Sequence, residues 1–368
     1  MKTRNYTLDN AKAFAIFVVV LAHVLRDGRY FTYFVPAAVP VFFLLSGITY
    51  HHGSSFLNFT LKKIKTIVVP YLFAGVISII IFAFLGRYAS NLLHEDISTT
   101  KILPNILFLL YGSGKSGHMK WNNSLWFLPC LMVIMLLVYL IETIVAKLKK
   151  SRFHSLIIRI ILSLFCLSIG LYLTRKLNGI ALCWHIETAL CNVIFTEIGI
   201  VIAPSVLSAT IFSDHTCHNA IQRLINRLLT CKAVRAIFFF VLALVFSYLN
   251  GETSARTDEY GISFILYFLS AICYAISYLY AGSLIGSKLS AITYTGMNTL
   301  PILLWNKYPV IVFQTLIGKF SNILDHPDTP AALIAAVVPA ILVIILCLLA
   351  GKIQKKFLPV TLGIRPGK

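Results

Sequence analysis

The sequence predicts an all-α protein, a bundle of helices that cross a membrane. Of its 368 residues, 58% are hydrophobic and 12% are charged, whereas soluble domains contain about 45–50% apolar residues. Several apolar stretches approach the roughly 20 residues that a spanning helix needs. Because no stretch between them is long enough for a soluble unit, we expect residues 1–368 to form one integral membrane domain.

Polar residues divide the apolar stretches into about ten predicted spans. A shorter apolar run, 104–111, cannot cross and is expected to lie at the interface or to fold back. The predicted spans, in order, are 11–31, 34–50, 66–86, 124–145, 155–174, 180–203, 234–250, 261–281, 299–317 and 331–351.

The N-terminus is interpreted as part of a retained first span. A basic start followed by an apolar run resembles a secretory signal peptide. However, Asp9 and Lys12 interrupt the run, and no small-residue cleavage site follows Leu21.

The distribution of basic residues predicts the orientation of the spans. With the N-terminus inside, twenty lysines and arginines fall on the inner side and ten on the outer side, where eight acidic residues accompany them. Because basic residues are retained on the cytoplasmic side, both termini are expected to be cytoplasmic. The net charge of +19 then reflects topology and contact with anionic lipid, and nucleic acid is not expected as a partner.

Ionisable residues within the predicted spans are the main functional candidates, because each costs about 2.5–3.5 kcal/mol to insert. Glu187 and Glu197 are ten residues apart and share a helix face only loosely, so each either lines a wet cavity or pairs with a buried cation. The candidates are Lys12, His23, Glu142, Arg159, His185, Glu187, Glu197 and Lys307.

The first span places Asp9, Lys12 and His23 in one stripe, together with Ile16 and Val20. At about 100° per residue, Lys12 and His23 lie about 20° apart around the helix, and Asp9 and His23 about 40° apart. His23 is expected roughly 16 Å deeper than Lys12, near the middle of the hydrocarbon core. Since histidine titrates near neutrality, it could act there as a general base. Alternatively, His23 hydrogen-bonds a neighbouring helix while Lys12 reaches the interface.

A second basic feature lies at the cytoplasmic start of the third span, in the sequence LKKIKTIVVPY. Its lysines, Lys62, Lys63 and Lys65, are placed to meet phosphate groups as point charges. A positive-inside anchor explains them equally well.

Neither a metal site nor a disulfide framework is predicted. Six of the eight cysteines lie in apolar segments, where a free cysteine behaves as a small hydrophobe. The segment Asp214–His218 contains ligand residue types, but zinc normally needs four ligands and only Cys231 lies nearby. The sequence also lacks the motifs of nucleotide-binding folds, serine hydrolases and zinc proteases, which excludes those enzyme classes.

Several motifs follow one another along the chain. Lys12 and His23 are separated by ten residues, and an aromatic second span ends in VFFLLSG. A basic cluster then runs into Pro70 and Tyr71, and LWFL opens the fourth span. HIETALCNVIFTEIGIVI lies in the sixth span and YTGMNTLPILLWNKYP in the ninth.

In this order the motifs resemble the acyltransferase-3 family of integral membrane acyltransferases, especially its fucose 4-O-acetylase-like members. The resemblance covers nearly the whole chain. It departs in two places: the family often has arginines where this sequence has Lys62 and Lys65, and many members carry a histidine at the position of Asn306.

The resemblance implies an O-acyltransferase in the cell (plasma or inner) membrane. Such an enzyme moves an acyl group, usually acetyl from acetyl-CoA, to a hydroxyl of an extracytoplasmic or lipid-linked saccharide. A donor on the cytoplasmic side and an acceptor outside would meet at a base within the membrane. No metal cofactor is expected.

The resemblance also assigns roles to residues. His23 would deprotonate the acceptor hydroxyl or carry the acyl group itself, with Lys12 and Asp9 orienting or tuning it. Lys62 and Lys65 would hold the phosphates of CoA. The residues expected to line the acceptor cavity are Ser46, Trp126 and Glu187.

Two other classes remain open. A secondary transporter or flippase of a lipid-linked sugar or small molecule would also have about ten spans with polar residues at mid-depth. Such proteins commonly show inverted repeats, and we find none in this sequence. A non-catalytic membrane scaffold would leave Lys12 and His23 as an unexplained energetic cost.

Overall fold

The computed structural model describes residues 4–25, 31–93, 102–115, 117–148, 151–180, 182–208 and 231–364. Regular structure in these residues is helical, apart from one isolated β-bridge between Ser254 and Glu259. The predicted all-α class is confirmed. The α-helices are α1 (Tyr6–Leu25), α2 (Phe31–Ile48), α3 (Phe56–Lys63), α4 (Val69–Leu93), α5 (Ile102–Tyr111), α6 (Phe127–Leu148), α7 (Arg152–Leu177), α8 (Ile186–Leu207), α9 (Lys232–Asn250), α10 (Phe264–Ile285), α11 (Ser290–Met297), α12 (Thr299–Trp305), α13 (Lys307–Phe320) and α14 (Pro330–Phe357).

The described residues contain eight helices that are long and apolar enough to cross a membrane. The count is nine if α12 and α13, which are bent by 59° relative to each other, form one broken span. The predicted second span is a shorter apolar helix, and the short apolar run near residue 104 is α5. The chain is therefore a multi-pass membrane bundle, in which the ninth predicted span is interrupted.

Helix α1 lies at the centre of the bundle, where it packs against α2, α10, α11 and α14. Helix α7 lies at the periphery and exposes large apolar side chains, among them Phe153, Ile161 and Phe165. An apolar face of this kind is unfavourable in water and is suited to contact with lipid. The site carried by α1 is thus enclosed by other helices.

Glycines allow the backbones of neighbouring helices in the bundle to come into direct contact. A Cβ atom on Gly199 of α8 would lie 2.1 Å from the carbonyl oxygen of Leu44 in α2. A Cβ atom on Gly296 of α11 would lie 1.6 Å from the carbonyl oxygen of Asp9 in α1. Both contacts fix the helices that surround the candidate site.

Helices α3 and α4 form one continuous helix through a π-helical turn, Ile64–Val68. Its N-terminus is capped by Ser55, whose side chain accepts a hydrogen bond from the backbone N–H of Asn58. A π-helical turn inserted in an α-helix is frequently found at a functional site. The lysine cluster of the sequence lies in and next to this turn.

Seven cysteines of the described residues are free thiols. The described residues also hold no group of three or more His, Cys, Asp and Glu side chains that could bind a metal ion. The segment Asp214–His218 lies outside the described residues.

Candidate functional site

A cavity of 710 Å³ runs along α1 within the described residues. Lys12, Ile16 and His23 all line it, as expected for one stripe of α1, whereas Val20 is fully buried against other helices. Residues Thr66 and Met297 line the cavity near the Lys12 end, and the loop 252–257 lines it near His23. The wall between the two ends is apolar and comes mostly from α1, α2 and α6.

His23 lies in the last turn of α1 and not at its middle. Helix α1 starts at Tyr6 and not at residue 11, and the mid-depth position of His23 in the membrane stays a prediction. The separation from Lys12 is still about 16 Å along the helix axis. The imidazole is therefore close to the outer loops, at one end of the cavity.

Ser124 positions the imidazole of His23, and the sequence analysis missed this residue. Its Oγ lies 3.1 Å from Nε2 of His23. Ser124 belongs to a short 3₁₀ helix, Lys120–Trp126, and directly precedes the LWFL motif. Gln314 of α13 holds the backbone at the same point, since its side-chain amide donates to the carbonyl oxygens of His23 at 2.9 Å and of Val24 at 3.1 Å.

Asn306 lies at the bend between α12 and α13 and extends the polar cluster around His23. Ser124 Oγ donates to Asn306 Oδ1 at 3.2 Å. The Asn306 amide nitrogen donates to the carbonyl oxygens of Ile302 at 3.0 Å and Leu303 at 3.2 Å. Pro309 removes a backbone donor from the first turn of α13, which explains why the helix breaks here. The break turns Asn306 towards Ser124.

Asp9 and Lys12 do not contact His23. Asp9 Oδ2 accepts from Nε of Arg4 at 2.9 Å, and the Lys12 ammonium is 3.9 Å from Asp9 Oδ1. Direct orientation of the imidazole by these two residues is not observed, because Ser124 holds it and Asp9 lies at the opposite end of α1, whereas their tuning role stays a prediction. Lys12 nevertheless lines the cavity with its basic side chain, at the end opposite to His23.

Lys62 and Lys65 are exposed and do not line the cavity. Thr66 and Ile67, which follow them in the π-helical turn, do line it. The lysines are thus next to the Lys12 end of the cavity, where a phosphate group outside the cavity would meet them.

Ser46 and Trp126 line the cavity as expected. Ser46 Oγ donates to the carbonyl oxygen of Phe43 at 2.7 Å. The Trp126 ring lies 4.9 Å from the ring of His185, between centroids, and is nearly buried. Trp126 therefore contacts both the cavity and the ring of His185.

Glu187 does not line the cavity, and its predicted acceptor-binding role is corrected. It is fully buried beside Lys115, whose ammonium lies 3.2 Å from Glu187 Oε1 and also contacts Asp258. The other oxygen of Glu187 accepts from the backbone N–H of Leu182 at 3.1 Å. Of the two alternatives left open for Glu187, pairing with a buried cation is the one observed. Lys115 and Asp258 belong to two loops that were predicted on the outer side, and these charges join both loops to the first turn of α8, which carries Glu187.

Glu197 also pairs with a cation. Arg159 of α7 donates to both oxygens of Glu142, at 2.7 and 2.8 Å, and lies 3.5 Å from Glu197. These residues tie α7 to α6 and α8 away from the cavity lining.

His185 lies on the outer side of the site, where both of its ring nitrogens contact polar groups. Its Nε2 accepts from the backbone N–H of Gly114 at 2.9 Å, and its Nδ1 lies 3.3 Å from Thr188 Oγ1. Arg256, which lines the cavity, donates to the carbonyl oxygen of Gly114 at 2.7 Å. Burial raises the pKa of the Asp258 carboxyl in the same cluster.

Comparison with known proteins gives one family. The family model Acyl_transf_3, described as an acyltransferase domain, matches residues 5–349. No curated protein and no solved structure matches the chain. The matched region includes α1 with Lys12 and His23, Ser124, Asn306 and the whole cavity lining.

Proposed function

The chain belongs to the acyltransferase family whose model covers residues 5–349, and we propose that it moves an acyl group from cytoplasmic acyl-CoA to a saccharide hydroxyl. The family and the spanning helices establish that the protein is a multi-pass membrane acyltransferase. The proposal adds the donor, with acetyl as the expected acyl group, and an acceptor that is either a cell-surface glycan or a lipid-linked saccharide. It also places the enzyme in the plasma or inner membrane.

The observation that supports this proposal is the continuity of the cavity. A single space is lined by Lys12 at one end and by His23 and the loop 252–257 at the other, about 16 Å farther along α1. An elongated passage with an apolar wall suits the extended pantetheine arm of CoA. Lys12, Lys62 and Lys65 supply positive charge at the end where the CoA phosphates would remain.

The outer end of the cavity suits a saccharide. Polar groups of the loop 252–259 line it, among them Glu252, Thr253, Arg256 and Glu259, and Trp126 adds an aromatic face. Hydroxyl-rich ligands require such donors and acceptors at fixed positions. His23 lies between this polar end and the apolar passage, where an acceptor hydroxyl and a thioester would meet.

In the proposed reaction, His23 removes the proton of the acceptor hydroxyl while its oxygen attacks the thioester carbonyl. Collapse of the tetrahedral intermediate breaks the C–S bond, and the proton passes from the imidazole to the CoA thiolate. Direct transfer with His23 as base agrees with its held position against Ser124. General-base catalysis of this kind contributes about 10²–10⁴-fold to the rate.

The test is acyl transfer by membrane vesicles of defined orientation. Labelled acetyl-CoA added to vesicles with the Lys12 side outward should yield an acetyl ester on the glycan, and His23→Ala should reduce the yield by about 10²–10⁴-fold. His154→Ala is the matched control, because His154 is exposed at the start of α7. Full transfer by the His23→Ala variant would refute the proposed mechanism.

The acceptor is identified in cells. Deletion of the protein followed by mass spectrometry of surface glycans should show loss of O-acetyl groups with normal glycan export. Accumulation of an unexported glycan precursor would instead identify a transporter and overturn the proposed reaction.

A further inference from the structure

We infer that Asn306, acting through Ser124, fixes the tautomer of His23 so that Nε2 carries the proton and Nδ1 is the basic atom that faces the acceptor. This inference rests on the proposed function, because it specifies how His23 serves as the base. Ser124 and Asn306 are positioning residues in this account, since they act on the substrate only through the imidazole.

The first step is the orientation of the Asn306 amide. Two backbone carbonyl oxygens, of Ile302 and Leu303, lie 3.0 and 3.2 Å from one terminal atom of this side chain. Carbonyl oxygens only accept hydrogen bonds, so this atom must be the amide nitrogen. The amide oxygen of Asn306 is therefore the atom that faces Ser124.

The second step assigns the single proton of the Ser124 hydroxyl. An amide oxygen only accepts, so Ser124 Oγ must donate its proton to Asn306 Oδ1 across 3.2 Å. Towards His23, the same oxygen can then only accept. The contact of 3.1 Å between Ser124 Oγ and His23 Nε2 thus requires a proton on Nε2.

The third step identifies the basic atom. A neutral imidazole carries one N–H, so Nδ1 of His23 holds the lone pair. No hydrogen bond to His23 Nδ1 occurs within the described ranges of the chain, and His23 lines the cavity. Ser124 is 5% exposed and Asn306 is 1% exposed, so water does not readily replace either partner.

With this tautomer, each proton that moves in the proposed reaction has a defined donor and acceptor. The acceptor O–H bond breaks and its proton moves to Nδ1, while the electron pair of that bond forms the new C–O bond at the thioester carbon. The imidazolium formed in this step carries N–H groups on both nitrogens, and its Nε2–H remains bonded to Ser124. Nδ1 then returns its proton to the thiolate that leaves, which restores the starting tautomer.

The direct test is the ¹⁵N NMR spectrum of the full-length protein, labelled at histidine and reconstituted in lipid. The signals absent from a His23→Gln sample belong to His23 and should show the proton on Nε2. His185 is an internal reference of the opposite kind, because the backbone N–H of Gly114 donates to its Nε2. A proton on Nδ1 of His23 would overturn the inference whatever the acyl-transfer assay shows.

The kinetic test uses Ser124→Ala and Ser124→Thr. Removal of the hydroxyl should lower kcat about 100-fold, with KM for acetyl-CoA unchanged, because tautomer control is lost while binding groups remain. Threonine keeps the hydroxyl and should restore most of kcat. Ser247→Ala is the matched control, because Ser247 is also buried but does not line the cavity. Its hydroxyl is hydrogen-bonded to the hydroxyl of Ser270, with 2.6 Å between the two oxygens.

The two failures are distinguishable. If the wild-type protein transfers no acyl group, the proposed function fails, whereas the NMR spectrum still reports the tautomer of His23. If the wild type is active and Ser124→Ala keeps full kcat, the positioning role fails while the proposed function stands.

Discussion

Two histidines, the buried His185 and the partly exposed His23, lie towards the outer end of the bundle, and they differ in how many of their nitrogens are bonded. His185 has both nitrogens engaged, one by the backbone N–H of Gly114 and one beside Thr188 Oγ1. Among the residues that the structure describes, His23 has only Nε2 engaged, by Ser124. An imidazole with both nitrogens hydrogen-bonded offers no lone pair to a substrate, whereas the second nitrogen of His23 meets the requirement of the proposed mechanism.

The surroundings of the two histidines differ in the same way. Near His185, the charges of Lys115, Glu187 and Asp258 are paired, and Asp258 also accepts from Thr188 at 2.5 Å. Near His23, the bonded partners are neutral and leave space in the cavity. The charged cluster holds outer loops together. Ser124 and Asn306, which are neutral, leave the imidazole of His23 accessible from the cavity.

Lys115→Met should give the largest effect on stability and tests the structural side of the comparison. The variant leaves Glu187 and Asp258 buried without their cation, which costs about 3–5 kcal/mol. Thermal unfolding of the detergent-solubilised protein should show a large drop in melting temperature.

The matched control removes the whole charged cluster. Combining Lys115→Met with Glu187→Gln and Asp258→Asn should restore most of the stability, because neutral groups are far cheaper to bury than unpaired charges. If the single variant is as stable as the wild type, these charges do not hold the outer loops and the comparison loses its basis.

Gly199→Ala should have a smaller effect and tests whether the two regions depend on one another. Helix α8 carries Glu187 of the charged cluster, and α2 lines the cavity. The backbones of these two helices meet at Gly199 and Leu44. A Cβ atom there would lie 2.1 Å from a carbonyl oxygen, so the helices must separate. We expect a loss of about 1–3 kcal/mol, with reduced acyl transfer.

Gly318→Ala is the control for that substitution. No atom lies within 4 Å of a Cβ placed at Gly318 in α13, and alanine favours a helix over glycine. Its stability should stay equal or rise slightly. Equal stability of Gly199→Ala would show that the α2–α8 contact tolerates a side chain.

The fold could be predicted largely from the sequence, because apolar length and charge bias report directly on spans. The break in the ninth span escaped prediction, although Asn306 and Pro309 were visible in WNKYP. An asparagine that bonds carbonyls three and four residues earlier is recognised only once the bend is seen. The predicted start of α1, at residue 11, was also several residues late, because the helix runs from Tyr6 to Leu25 and carries His23 in its last turn.

The site could be predicted only in part, because helical spacing relates residues within one helix. It correctly grouped Lys12 with His23 on the cavity wall. It could not find Ser124, which is 101 residues from His23 in sequence. Nor could it show that Glu187 meets Lys115, because that pair depends on how an outer loop packs against the distant first turn of α8.

The smallest expected effect is a pH dependence that arises at His118, in the same outer loop as Lys115. Its ring stacks on Phe108 with 4.4 Å between centroids, and its Nδ1 is buried without a hydrogen-bond partner in the part of the chain that the structure describes. Burial therefore lowers the pKa of His118 below its ordinary value of 6.5. Between the lowered pKa and about 6.5, the unfolded chain binds more protons than the folded protein, so the free energy of unfolding decreases as pH falls through this window.

The variant His118→Phe keeps an aromatic ring stacked on Phe108 and should make the melting temperature less sensitive to pH in this window, whereas the control variant His154→Ala should not change this sensitivity. An unchanged pH profile in His118→Phe would show that this outer loop tolerates a charged imidazole, and would weaken the contrast between the two regions.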